Sequence, residues 1–145
     1  MDVSELRKRV LRAIDDARRE ASDRRVAVDE AAKAFERFLN DVAVPLLRQA
    51  ATVLNATGPA FTVHTPAGSV RLASEKSPET YLELELDAAR PSPEVLGRIS
   101  LARGGRQGQV IEERPIAAGK PVDRLTEEDL SAFLVAEVPK LVVRP

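Results

Sequence analysis

The sequence contains no cysteine. Disulfides, thiolate nucleophiles and cysteine-ligated metals are therefore excluded. Tryptophan is also absent, and aromatic residues make up only 3% of the chain. Proteins that hold single-stranded nucleic acid stack bases on aromatic rings, and little here can serve that purpose. One histidine, His64, leaves only oxygen ligands for a metal. The acidic stretches "EEDL" and "IEER" lack the alternating acids around a glycine that a calcium loop requires. The residues thus imply no metal site and no cofactor.

Neither sign of charge is in excess. Twenty-two lysines and arginines face 23 aspartates and glutamates, for a net charge of -1. A dedicated nucleic-acid binder carries a clear basic surplus, so the balance disfavours that class. Long apolar runs are missing too. The first residues, "MDVSELRKRVLRAIDDARRE", carry a charge every few positions, which suits neither a secretory signal nor a membrane span. The expectation is a cytoplasmic protein without membrane contact.

What is present is periodicity. The length of 145 residues fits one structural domain, read as a helical region over 1–57 followed by a sheet and closing helix over 58–145. Apolar residues recur at Val3, Leu6, Val10, Ile14, Ala17 and Ala21, then at Val28, Ala32, Phe35, Leu39, Val42, Leu46, Ala50 and Val53. Steps of three and four describe one face of a helix. Opposite charges four apart (Glu5 with Arg9, Arg12 with Asp16, Asp15 with Arg19, Glu20 with Arg24, Asp29 with Lys33) solvate the other face. Two interruptions are offered. One is near Ser22–Arg25, where a new N-cap is available; the other is before Pro45. "NATGP" then ends the region, with Gly58 suited to a left-handed cap.

An unbroken helix of ~50 residues would span roughly 75 Å, well beyond a small globular body. It must fold back near Ser22–Arg25 or pack on a partner. Because the stripe resumes in phase after the weak point, self-association is the expected solution. A homo-oligomer follows, a dimer first, with Val3, Leu6, Val10, Ile14, Ala17 and Ala21 as the contact stripe.

The middle of the chain alternates with period two. Phe61 and Val63, Val70 and Leu72, Leu82, Leu84 and Leu86, and Ile99 and Leu101 share one face. "TPAG" and "RGGRQG" read as hairpin turns, and "QVIEERPI" as the last strand. "RGGRQG" superficially resembles a phosphate cradle, but a strand and not a helix follows it. Four or five strands in an antiparallel meander, covered on the apolar face by helices, make a two-layer α+β sandwich. "LTEEDLSAFL" opens a closing helix. Thr126 is its N-cap, Leu125 and Leu130 have staple spacing, and Leu130, Phe133, Leu134, Glu137 and Val138 mark its turns. Pro139 is expected to end or kink it.

No "GxSxG" elbow or other catalytic spacing appears, so no catalytic residue is assigned and an enzyme is the less favoured class. The opposite sheet face is the candidate ligand face: His64, Arg71, Tyr81, Glu83, Glu85 and Arg98. A histidine beside carboxylates can act as a base. Cross-strand pairing of the arginines with the glutamates is the plainer reading. Basic residues gather at Arg7, Lys8, Arg9 and Arg12, and again at Arg98, Arg103, Arg106, Arg114, Lys120 and Arg124, but acids interleave them. The functional expectation is a non-enzymatic, self-associating protein–protein interaction module. A small-ligand binder or enzyme on the His64 face comes second, and weak electrostatic nucleic-acid binding third.

Overall fold

The computed structural model describes residues 2–90, 92–102 and 108–143. Most of the turn expected over Arg103–Gly108, including Arg103 and Arg106, lies outside the described residues, as does the end of the C-terminal tail. The elements run α1 (Val3–Phe38), a π-helical segment (Leu39–Ala43), α2 (Val44–Thr57), β1 (Phe61–His64), β2 (Ser69–Ser74), β3 (Tyr81–Asp87), β4 (Glu94–Ala102), β5 (Gln109–Pro115) and α3 (Glu127–Val142). The five strands form one antiparallel sheet in the order β1-β2-β3-β4-β5. The class is α+β, with a long N-terminal helix and a closing C-terminal one.

The break offered at Ser22–Arg25 does not occur, because α1 runs straight through it. Ser22 and Asp23 cap helices well, but here alanines and arginines of good helix propensity surround them. Asp2 caps the helix instead, accepting from the Ser4 amide at 3.1 Å. Pro45 does not break the chain either. The turn before it widens, and the Val44 amide donates to the Leu39 carbonyl five residues back. A π turn absorbs the hydrogen bond that proline cannot donate, and the chain stays helical into α2. Gly58, at φ +135°, ends α2.

The core lies between the sheet's leucine face and the helices. Phe35 and Phe38 of α1, Leu47, Ala51 and Leu54 of α2, and Leu130, Phe133 and Leu134 of α3 meet Val70, Leu72, Leu82, Leu84, Val95 and Ile99. Burying a leucine or phenylalanine side chain contributes about 1.5–3 kcal/mol, so this layer supplies most of the stabilisation. One close approach shapes it. A Cβ placed on Gly97 of β4 would lie 2.1 Å from Phe133 Cζ, so the ring of α3 rests directly on the β4 backbone.

α3 begins as the residues indicate. The Thr126 hydroxyl accepts from the Asp129 amide at 3.1 Å, and Asp129 Oδ2 accepts from the Thr126 amide at 2.9 Å, a complete capping box. Pro139 neither ends nor interrupts this helix, which continues to Val142. The Asp129 carboxylate also holds Lys120 at 2.7 Å. That ammonium, together with the Thr126 amide, keeps Asp129 below the usual carboxylate range. A depressed folded-state value contributes stability above the unfolded value, and this is lost as pH falls through the folded one. Asp129→Asn is therefore expected to destabilise at neutral pH, with a difference from wild type that shrinks below about pH 4. Urea unfolding at neutral and acid pH measures it; a difference independent of pH would contradict the assignment.

Candidate functional site

The open face of the sheet carries the six residues singled out for ligand contact. Register places five side chains in one row across all five strands: His64, Arg71, Glu83, Arg98 and Glu113. Next to His64 the charges alternate in sign. Arg71 Nε donates to Glu83, and its guanidinium carbon lies 3.8 Å from the centre of the Tyr81 ring. Arg98 bridges Glu85 and Glu113, the latter at 2.9 Å. Ser100 donates to the Glu79 carbonyl at 2.6 Å, and Gln109 lies over Ser100 at 2.8 Å.

These long side chains lie flat on the strands. Tyr81 and Glu83 are consequently buried, at 8% and 6% exposure, on a face whose alternation alone suggests solvent. Two arginines thus pair with three carboxylates. Each arginine already meets a carboxylate, so neither guanidinium is left unpaired on this face. His64 closes β1 in the open, exposed, with Arg71 rather than an acid as its cross-strand neighbour. The structure thus brings Arg71, Tyr81, Glu83, Glu85 and Arg98 together and leaves His64 at their margin. A general base needs a partner that orients it, and none faces His64 among the described residues.

Of the basic residues considered for phosphate contact, Arg9, Arg98, Arg114 and Lys120 are engaged in ion pairs. Arg114 contacts Glu112 and Glu137, and Lys120 contacts Asp129. Among the described residues, no group of three or more histidines, aspartates and glutamates is arranged to hold a metal ion. No helix there is long and apolar enough to cross a membrane.

Residue spacing marks Glu137 only as one turn of α3, and the structure gives it a further role. It occupies the buried stripe of that helix and is only 1% exposed. Its carboxylate lies 2.8 Å from Arg114 on β5 and 2.8 Å from Lys140 one turn on. The Lys140 contact is an ion pair across one turn of the helix. The carboxylate raises the Lys140 ammonium above its ordinary value. The signal is the spacing itself: a glutamate at a position where Leu130, Phe133 and Leu134 predict an apolar residue.

The second candidate is the N-terminal part of α1. Asp2 through Ala27 are all exposed, and burial begins in part at Val28 and fully at Ala34. Roughly 35 Å of helix therefore projects beyond the body. Arg24 marks the point of departure, donating to the Ala89 carbonyl at 3.2 Å. Among the described residues, only Glu5 with Arg9 forms an ion pair out of the five expected along this helix, at 3.1 Å. The contact stripe lies fully in water: Val3 is 82% exposed, Leu6 52%, Val10 47% and Ile14 40%, with Ala17 and Ala21 exposed beside them. Comparison with protein-family models, with curated proteins and with solved structures finds no match to this chain.

Proposed function

We propose that this protein is a non-enzymatic interaction module of the cytoplasm that associates with itself through the projecting half of α1. One observation carries the reading: the helix face that packs on the body at Ala31, Phe35 and Phe38 continues in register through Val28, Ala21, Ala17, Ile14, Val10 and Val3, interrupted by Arg24 and Arg7, and is exposed from Ala27 back to Val3. Most helical stability in proteins comes from packing an apolar face. A second copy supplies that packing. The ion-paired sheet face stays free in such an assembly and is available to a protein partner.

Sedimentation velocity across a micromolar concentration series tests the reading. A dimer or larger assembly is expected for the native chain, and a monomer for the Leu6→Glu, Ile14→Glu variant, with the sheet and core of that variant intact. A native chain that stays monomeric throughout would sink it.

A further inference from the structure

The stripe on the projecting helix has a direction built into it. Its seam runs Val3, Arg7, Val10, Ile14, Ala17 and Ala21, alternating steps of four and three as in a coiled coil. The same seam continues through Arg24 and Val28 to Ala31, Phe35 and Phe38, and there this chain's own sheet fills the space. A second helix laid parallel on the seam would carry its own body into that occupied volume. A helix laid antiparallel begins at its Val3 and stops short of Arg24, where the body starts.

We propose that two copies pair antiparallel over residues 3–21, with a two-fold axis level with Arg12. The proposal rests on the self-association reading above and adds orientation and register. In this register Val3 of one copy faces Ala21 of the other, Arg7 faces Ala17, and Val10 faces Ile14. Two bulky pairs then flank the axis, and Val3 lies over the small Ala21. Arg7 lays its stem over the small Ala17 with its guanidinium at the seam's edge. Leu11, which is 51% exposed and lies off the seam, meets its own copy across the axis. Ala13 meets its own copy on the opposite flank, letting the helices approach closely. The next register, one heptad longer, sets Arg7 against Arg24 and runs the second helix onto the body, so two charges and a steric clash disfavour it.

The chain has no cysteine, so single introduced cysteines report contacts directly. Val3→Cys and Ala21→Cys sit at exposed positions. Oxidised alone, neither variant is expected to form a disulfide-linked dimer; oxidised as a mixture, they are expected to form the mixed dimer. A nitroxide attached to the Val3→Cys variant should give a separation between copies of about 27 Å along the axis, from 18 residues at 1.5 Å each. Self-linking of either single variant would show a parallel pair and overturn the orientation while self-association stands. A dimer by sedimentation without the mixed disulfide would overturn the register. A monomer, including one that instead sediments with anionic phospholipid vesicles, would overturn this inference and the function reading together.

Discussion

Gly97→Ala will destabilise the fold by about 1–3 kcal/mol, the usual range for overpacking a close-packed core. Gly97 lies inside β4 with no positive φ, so the backbone there accepts any residue and alanine favours a strand as well as glycine does. The cost comes from one contact. The new methyl would stand 2.1 Å from Phe133 Cζ and 2.6 Å from Cε1. Phe133 is buried in the core and cannot swing into solvent. Either the ring leaves its rotamer or α3 lifts from the sheet. For a chain of this size, 1 kcal/mol shifts the midpoint by roughly 3 °C, so thermal unfolding reads the effect easily. Gly97→Val should be worse. Phe133→Leu should be destabilising alone yet relieve part of the Gly97→Ala loss, and a double-mutant cycle measures that coupling. Additive effects of the two changes would mean that the ring does not rest on the strand.

The second large effect concerns Glu137. Removing both of its cations with Arg114→Met and Lys140→Met leaves a carboxylate buried among leucines without a partner. Breaking a buried pair costs about 3–5 kcal/mol. Arg114 and Lys140 are themselves 46% and 38% exposed, so water can approach once they shorten, and the lower end of that range applies. Adding Glu137→Leu to the double variant should restore most of the loss, since a buried ion pair stabilises little against a well-packed apolar replacement. Chemical denaturation of the single, double and triple variants separates these terms. Wild-type stability in the double variant would show that the carboxylate reaches solvent.

Much of this architecture is written locally in the chain. Leu82, Leu84 and Leu86 alternate so strictly that β3 and its buried face follow directly, and Thr126 with Asp129 marks the start of α3 within four residues. The features that were not legible depend on neighbours far away in sequence. Ser22 and Asp23 signal a cap that no tertiary contact calls upon, so α1 continues. Pro45 signals a break, yet the buried Leu39, Ala43 and Leu47 keep their face against the core, and the helix widens rather than stops. Glu137 stands in the apolar stripe, but its meaning comes from Arg114, on a strand that sequence spacing alone does not place opposite it. The candidate ligand residues were legible as a face. That Tyr81 and Glu83 are shielded on it follows from arginine side chains lying flat, which depends on rotamers rather than on periodicity.

The order of the strands also governs how the chain can reach this state. Each strand pairs only with its neighbours in sequence, so no pairing waits for a distant segment. Loop-closure entropy is small at every step, and folding of such a topology belongs to the fast end for sheet-containing domains. The projecting helix precedes the sheet in the chain, and the sheet follows it hairpin by hairpin. α3, which meets β4 through Phe133 and β5 through Glu137, follows all five strands in the chain. A nascent chain stalled before α3 would leave uncovered the part of β4 on which Phe133 rests, and would be the species most prone to aggregate and most in need of a chaperone.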